Sequence, residues 1–183
     1  MKIINGDVDL ERLLLTELPD LRDVQVRGSF WCGINNLQSL QGAPTHVGGN
    51  FWCYDNNLQS LQDAPTHVGG EFDCFDNNLQ SLKGAPTYVS GSFWCSNNYL
   101  RSLEGAPTRV EGSFYCSDNN LQSLKGAPTH VSGSFWCSNN NLRSLEGAPT
   151  YVGGNFYCKN NRGIKITKEM IREVCNVKGK VLV

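Results

Sequence analysis

Apolar positions along this chain recur with a period of 21 residues, marked by Cys32, Cys53, Cys74, Cys95, Cys116, Cys137 and Cys158. Each unit opens on Phe-x-Cys, starting at Phe30, Phe51, Phe72, Phe93, Phe114, Phe135 and Phe156. That spacing alternates, so it predicts a strand with Phe and Cys on one side and the residue between them on the other. Three residues after each Cys stands an Asn, from Asn35 to Asn161. In the six full units, all but the truncated last, Leu then follows at the fifth and eighth positions, as in Leu58 and Leu61, and returns apolar groups to the Phe side after a turn. Ala-Pro-Thr recurs from Ala43 to Thr150 and predicts an extended return, because Pro fixes φ and lacks an N–H. Val four residues before each Phe, and Gly two before it, complete the unit.

One such unit cannot enclose its own apolar side chains, whereas stacked units can, at about 4.8 Å per strand. The Asn falls where the chain leaves the strand, and its amide is expected to bond backbone groups of neighbouring coils in a ladder. Gly permits tight bends, and Asp63 stands once in place of the turn glycine because Asp tolerates the left-handed region. The ends read as caps. Residues 1–27 predict an N-terminal helical cap, with Leu10, Leu13, Leu14 and Leu18 at helical spacing between Asp7 and Pro19. Residues 28–163 form the array of seven rungs. Residues 164–183 predict a C-terminal cap: a helix N-capped by Thr167 and running to about Cys175, with Met170, Ile171 and Val174 inward, then a strand over Val181 to Val183.

Phe-x-Cys-x-x-Asn-x-Leu-x-x-Leu resembles the leucine-rich-repeat signature, with Phe and Cys in two Leu places. The return Leu-x-x-Ala-Pro-Thr-x-Val is similar to the proline-bearing repeats of bacterial effectors and of repeat proteins from bacteria and phages. The resemblance covers residues 26 to 163. It implies a repeat solenoid: a leucine-rich-repeat arc with a parallel concave β-sheet, an extended non-helical convex side and a short capping helix at each end. It also implies a host-directed adaptor or inhibitor, although folds of this kind host many activities.

Composition narrows the functional classes. The formal net charge is −1, so no basic surface favours nucleic acid or an anionic membrane. No apolar run reaches the roughly 20 residues of a membrane span, and the start of the chain does not read as a secretory signal. The evenly spaced cysteines report the repeat rather than a disulfide framework, and read as reduced, core-facing thiols of a cytoplasmic protein, bacterial or in an infected host cell.

Function is expected where the outward strand positions vary. Between Phe and Cys stand Trp31, Trp52, Asp73, Trp94, Tyr115, Trp136 and Tyr157, and one residue after Cys stand Tyr54 and Phe75 where other rungs carry mostly small residues. An aromatic stripe across seven strands, about 30 Å at strand spacing, suits a contact surface, and Tyr and Trp dominate interface hot spots. The same rings could also serve only to stabilise the sheet by cross-strand stacking. Trp52, Tyr54, Asp73, Phe75 and Trp94 form the expected centre. Glu71, Asp55 and Asp76 are expected close by, to make an acidic patch for a partner with Arg or Lys and apolar residues. His46, His67 and His130 share one repeat position on the return and read as solvated surface. Lys83, Glu104, Lys125 and Glu146 read as inter-rung ion pairs of little individual weight. No catalytic motif is present, so the expectation is a non-enzymatic protein-binding module with neither cofactor nor metal. Carbohydrate binding on the same rings, or homodimerisation, is the alternative.

Overall fold

The computed structural model describes residues 2–183. The chain winds as a right-through stack of coils, a parallel β-solenoid of 21-residue period in which every rung lies in register on the next. Each coil contributes two short strands. The Phe strands, such as Phe51–Trp52 and Phe93–Trp94, join Val8–Asp9 at one end and Val181–Leu182 at the other in one nine-stranded parallel sheet. The return strands make a second parallel surface in two pieces. Five strands run from Lys2–Ile4 to Tyr88–Val89, and four from Arg109–Val110 to Asn176–Val177. The return side is extended and non-helical, and it goes further than the expectation: Ala-Pro-Thr leads into a strand whose backbone bonds its neighbours, because a return without helix has to satisfy those groups somewhere.

Phe, Cys and Val of each unit fill the interior, with both Leu of the six full units, and all seven repeat Phe residues are wholly buried. Their rings follow one another at 5.1–5.7 Å. Ring pairs of this kind contribute roughly 0.5–1.5 kcal/mol each beyond area burial. All eight cysteines are buried and free. Four donate their thiol to a carbonyl of the next coil, as Cys74 does to Trp94 at 3.1 Å. Burial raises these thiols above their ordinary range, so they behave as small core groups rather than nucleophiles.

The turn after each Phe strand has a fixed form. The residue two after each Cys is left-handed, with φ between 51° and 56°, and in six of seven coils it is Asp or Asn. The ladder Asn comes next. Asn56 shows the pattern: Oδ1 accepts the Leu37 N–H of the previous coil at 3.0 Å, and Nδ2 donates to the Cys32 carbonyl at 3.0 Å. Asp63 has a φ of 66°, close to the turn glycines it replaces.

The two ends differ from expectation in two respects, the N-terminal helix and the side that Val174 faces. The N-terminal segment is a degenerate coil, not a helix. Lys2–Ile4 pairs with Val24–Val26, and Val8–Asp9 pairs with Phe30–Trp31. Arg12 and Leu14 are left-handed, and Asn35 Oδ1 accepts the N–H groups of Leu13 and Leu15. Pairing with the first true rung thus outweighs helical spacing of the leucines, and Leu13 and Leu14 stay exposed. At the other end the expected helix forms at Lys168–Val174, capped by Thr167, with Ile171 buried but Val174 facing solvent. It lies within the last coil, ahead of Asn176–Val177 and Val181–Leu182.

Candidate functional site

The nine-stranded sheet carries the variable positions on its outer side. Register aligns Trp31, Trp52, Asp73, Trp94, Tyr115, Trp136 and Tyr157 in one file, each half-buried. Trp31 stacks on Trp52 with centroids 5.7 Å apart, and Trp94 on Tyr115 at 3.5 Å. Tyr115 and Trp136 follow at 5.8 Å, and Trp136 and Tyr157 at 3.4 Å. The planes in these pairs lie within 24° of parallel. The rings therefore turn their faces toward one another along the stack and their edges outward. The indole N–H groups of Trp31 and Trp136 are covered and have no acceptor.

Asp73 interrupts this file. Its neighbours in register are Trp52 on one side and Trp94 on the other. Its Oδ1 accepts the backbone N–H of Phe75 at 2.9 Å. Among the described residues the ion pairs are Arg22–Asp20, Arg109–Glu111 and Lys125–Glu104, so Asp73 has no cation beside it. Burial raises its carboxyl to about 6, the Phe75 N–H opposes that shift, and the charge on Glu71 adds to it. Beside this gap, Tyr54 lies over Gly33, with ring atoms 2.8–3.0 Å from where a side chain at that glycine would begin. Phe75 is 39% exposed. The Tyr54 phenol is raised above its ordinary value by burial and then by the carboxylate of Glu11, which shares its side of the first coils.

The structure brings together Trp52, Tyr54, Asp73, Phe75 and Trp94, with Glu71 immediately before the same strand. It divides the expected acidic patch. Asp55 and Asp76 stand in the left-handed turns and line a polar groove of about 300 Å³ with Asn57, Asn78, Asn97 and Tyr99. Only Glu71 couples to Asp73.

The histidines that share one repeat position on the return form a second stacked file, which their reading as solvated surface did not anticipate. His46 stacks on His67 at 4.5 Å, His67 on Tyr88 at 4.7 Å, and His130 on Tyr151 at 4.5 Å. These residues occupy return strands, where they alternate with buried Val. The signal was present as a period-two pair, outward aromatic then inward Val, repeated every 21 residues. Of the alternating charges, only Lys125 and Glu104 pair, at 3.5 Å. Among the described residues no three His, Cys, Asp or Glu side chains gather as metal ligands, and no helix is long and apolar enough to cross a membrane. No protein-family model matches the chain, and no curated protein matches it.

Proposed function

We propose that this chain is a non-enzymatic protein-binding module of leucine-rich-repeat character. In this reading it is encoded by a bacterium or phage and acts in the cytoplasm as a host-directed adaptor or inhibitor. The observation that carries the reading is the half-exposed aromatic file on the nine-stranded sheet, widened at its second and third rungs by Tyr54 and Phe75. Aromatic side chains held rigid by stacking lose little conformational entropy on contact, which is why such residues anchor interfaces. The partner is a protein with apolar groups for the ring edges and basic groups for Asp73 and Glu71. Sugar binding receives less support, because a pyranose stacks on ring faces and these rings present mostly edges.

The test is a pull-down from lysate of the source cell or its host, comparing wild type with Trp52→Ala/Phe75→Ala of unchanged circular dichroism. A protein retained by wild type and lost by the variant supports the reading. Equal recovery by both removes the aromatic face from the interaction. Light scattering of the purified chain separates heterologous binding from homodimerisation through the same face.

A further inference from the structure

We propose that the break in the aromatic file at Asp73 is a slot for one guanidinium group, an arginine side chain of the bound partner, held between Trp52 and Trp94. The proposal rests on the protein-binding reading and adds the chemistry of its centre.

Three observations lead there. First, the file is stacked on both sides of the break but not across it. Among the described residues Trp52 stacks only on Trp31, and Trp94 only on Tyr115. Each indole therefore keeps one face turned toward Asp73 without a ring against it. Within the file these are the only two facing rings left uncovered by a third. Second, the break is wide enough for a planar group. Trp52 and Trp94 are two strands apart, about 9.6 Å at the usual spacing. A flat cation in van der Waals contact with a ring on each side needs about 7 Å between ring planes, so it enters freely and the two indoles lean inward to grip it. Third, the floor of the slot is a carboxylate with no countercharge. Asp73 uses one oxygen for the Phe75 N–H, which leaves acceptor capacity free. Tyr54 and Phe75 extend the aromatic wall on one flank, and Glu71 adds a second negative group at the start of the strand.

Arginine fits this arrangement better than lysine. A guanidinium is planar, weakly hydrated, stacks on indole and donates several N–H groups in its plane, where an ammonium is a strongly hydrated point charge. Stacked between two rings, its edge points down to Asp73. Every other rung fills this position with a ring, so no equivalent slot exists along the file.

The experiment uses the whole chain and a defined probe, acetyl-arginine amide, followed by the indole N–H resonances of all four tryptophans. A saturable shift confined to Trp52 and Trp94 is expected, with acetyl-lysine amide binding more weakly. Asp73→Asn is expected to weaken the probe at least roughly tenfold, and Asp73→Trp, which closes the file, to abolish it. The proposal falls if wild type shows no shift at Trp52 or Trp94 up to about 50 mM probe, well above the millimolar affinity that one such contact supports. It also falls if Asp73→Asn binds as wild type does. The pull-down separates this failure from failure of the module itself. A partner lost by Trp52→Ala/Phe75→Ala yet kept by Asp73→Trp leaves the binding face in place and removes the slot.

Discussion

The side-chain oxygen of Asn77 accepts the backbone N–H of Leu58, 2.9 Å away in the preceding coil. Its Nδ2 meanwhile donates to the Cys53 carbonyl of that coil at 3.0 Å and to the Cys74 carbonyl of its own at 3.3 Å. One buried amide thus satisfies backbone groups of two coils that no strand reaches. Asn77→Ala should therefore cost more than a lost side chain, because it leaves Leu58 N–H buried and unpaired and leaves Cys53 C=O only the longer bond from Asn56 Nδ2, at 3.3 Å. At about 1–3 kcal/mol for one orphaned group, the loss should be on the order of 1–3 kcal/mol. Urea unfolding read by circular dichroism measures it. A change under about 0.5 kcal/mol, the size of an ordinary surface substitution, would mean that water or backbone movement replaces the ladder.

Ile34 occupies the turn position that is Asp or Asn in the other six coils, and it holds a φ of 53° there. A β-branched side chain in the left-handed region crowds its own backbone, whereas Asn bonds locally and tolerates it. Ile34→Asn should raise stability by about 1 kcal/mol, despite removing an apolar group that is only half-buried. A higher urea midpoint with unchanged slope is the expected result. A lower midpoint would show that packing of Ile34 outweighs its backbone strain.

Much of this architecture was legible because each repeat position answers one physical demand. Phe and Cys two apart face inward together, Asn meets the backbone left at the strand's end, and Asp63 takes a left-handed turn. Each of these could be reasoned from one unit. The leucines near the N-terminus misled for a different reason. Leu10, Leu13 and Leu14 have helical spacing, but the open edge of Phe30–Trp31 offers Val8–Asp9 a ready ladder, and Asn35 bonds the turn beyond it. That competition is between segments, and local spacing does not record it. The gap at Asp73 was visible as a substitution. What the sequence withheld is that the rings on either side stack away from it.

The thiols offer a check on the packing itself. Cys32, Cys53, Cys74, Cys95, Cys116 and Cys137 are wholly buried, while Cys175, beside the terminal helix, is raised only to about 11. In native protein near pH 8, a thiol reagent should react slowly with all eight, and with Cys175 first, since terminal segments open at the lowest free energy. Denatured protein should release all eight at once. Peptide mapping after partial labelling assigns the order, and early modification of Cys95 or Cys116 would contradict a closed core.

Asp73 should make the fold more stable in mild acid than at neutral pH. Its carboxyl is raised from 3.8 to about 6 by burial between the two indoles, so folding favours the protonated form. Between about pH 4 and 6 the folded chain holds a proton that the unfolded chain has lost. Stability contributed by this group therefore falls as pH rises through that window, and above 6 the folded state bears an unpaired, poorly solvated charge. A shift of this size on a group that is only partly buried corresponds to about 1–2 kcal/mol after solvent screening. Asp73→Asn removes the titration, so the difference in stability between variant and wild type should grow from pH 4 to pH 7 in the variant's favour. Thermal unfolding of both proteins across that range measures the difference directly. A difference that stays constant with pH would mean that Asp73 ionises as freely folded as unfolded, and that the indoles leave it open to water. The same result would weaken the case that this carboxylate awaits a cation, since a solvated carboxylate gains little from one.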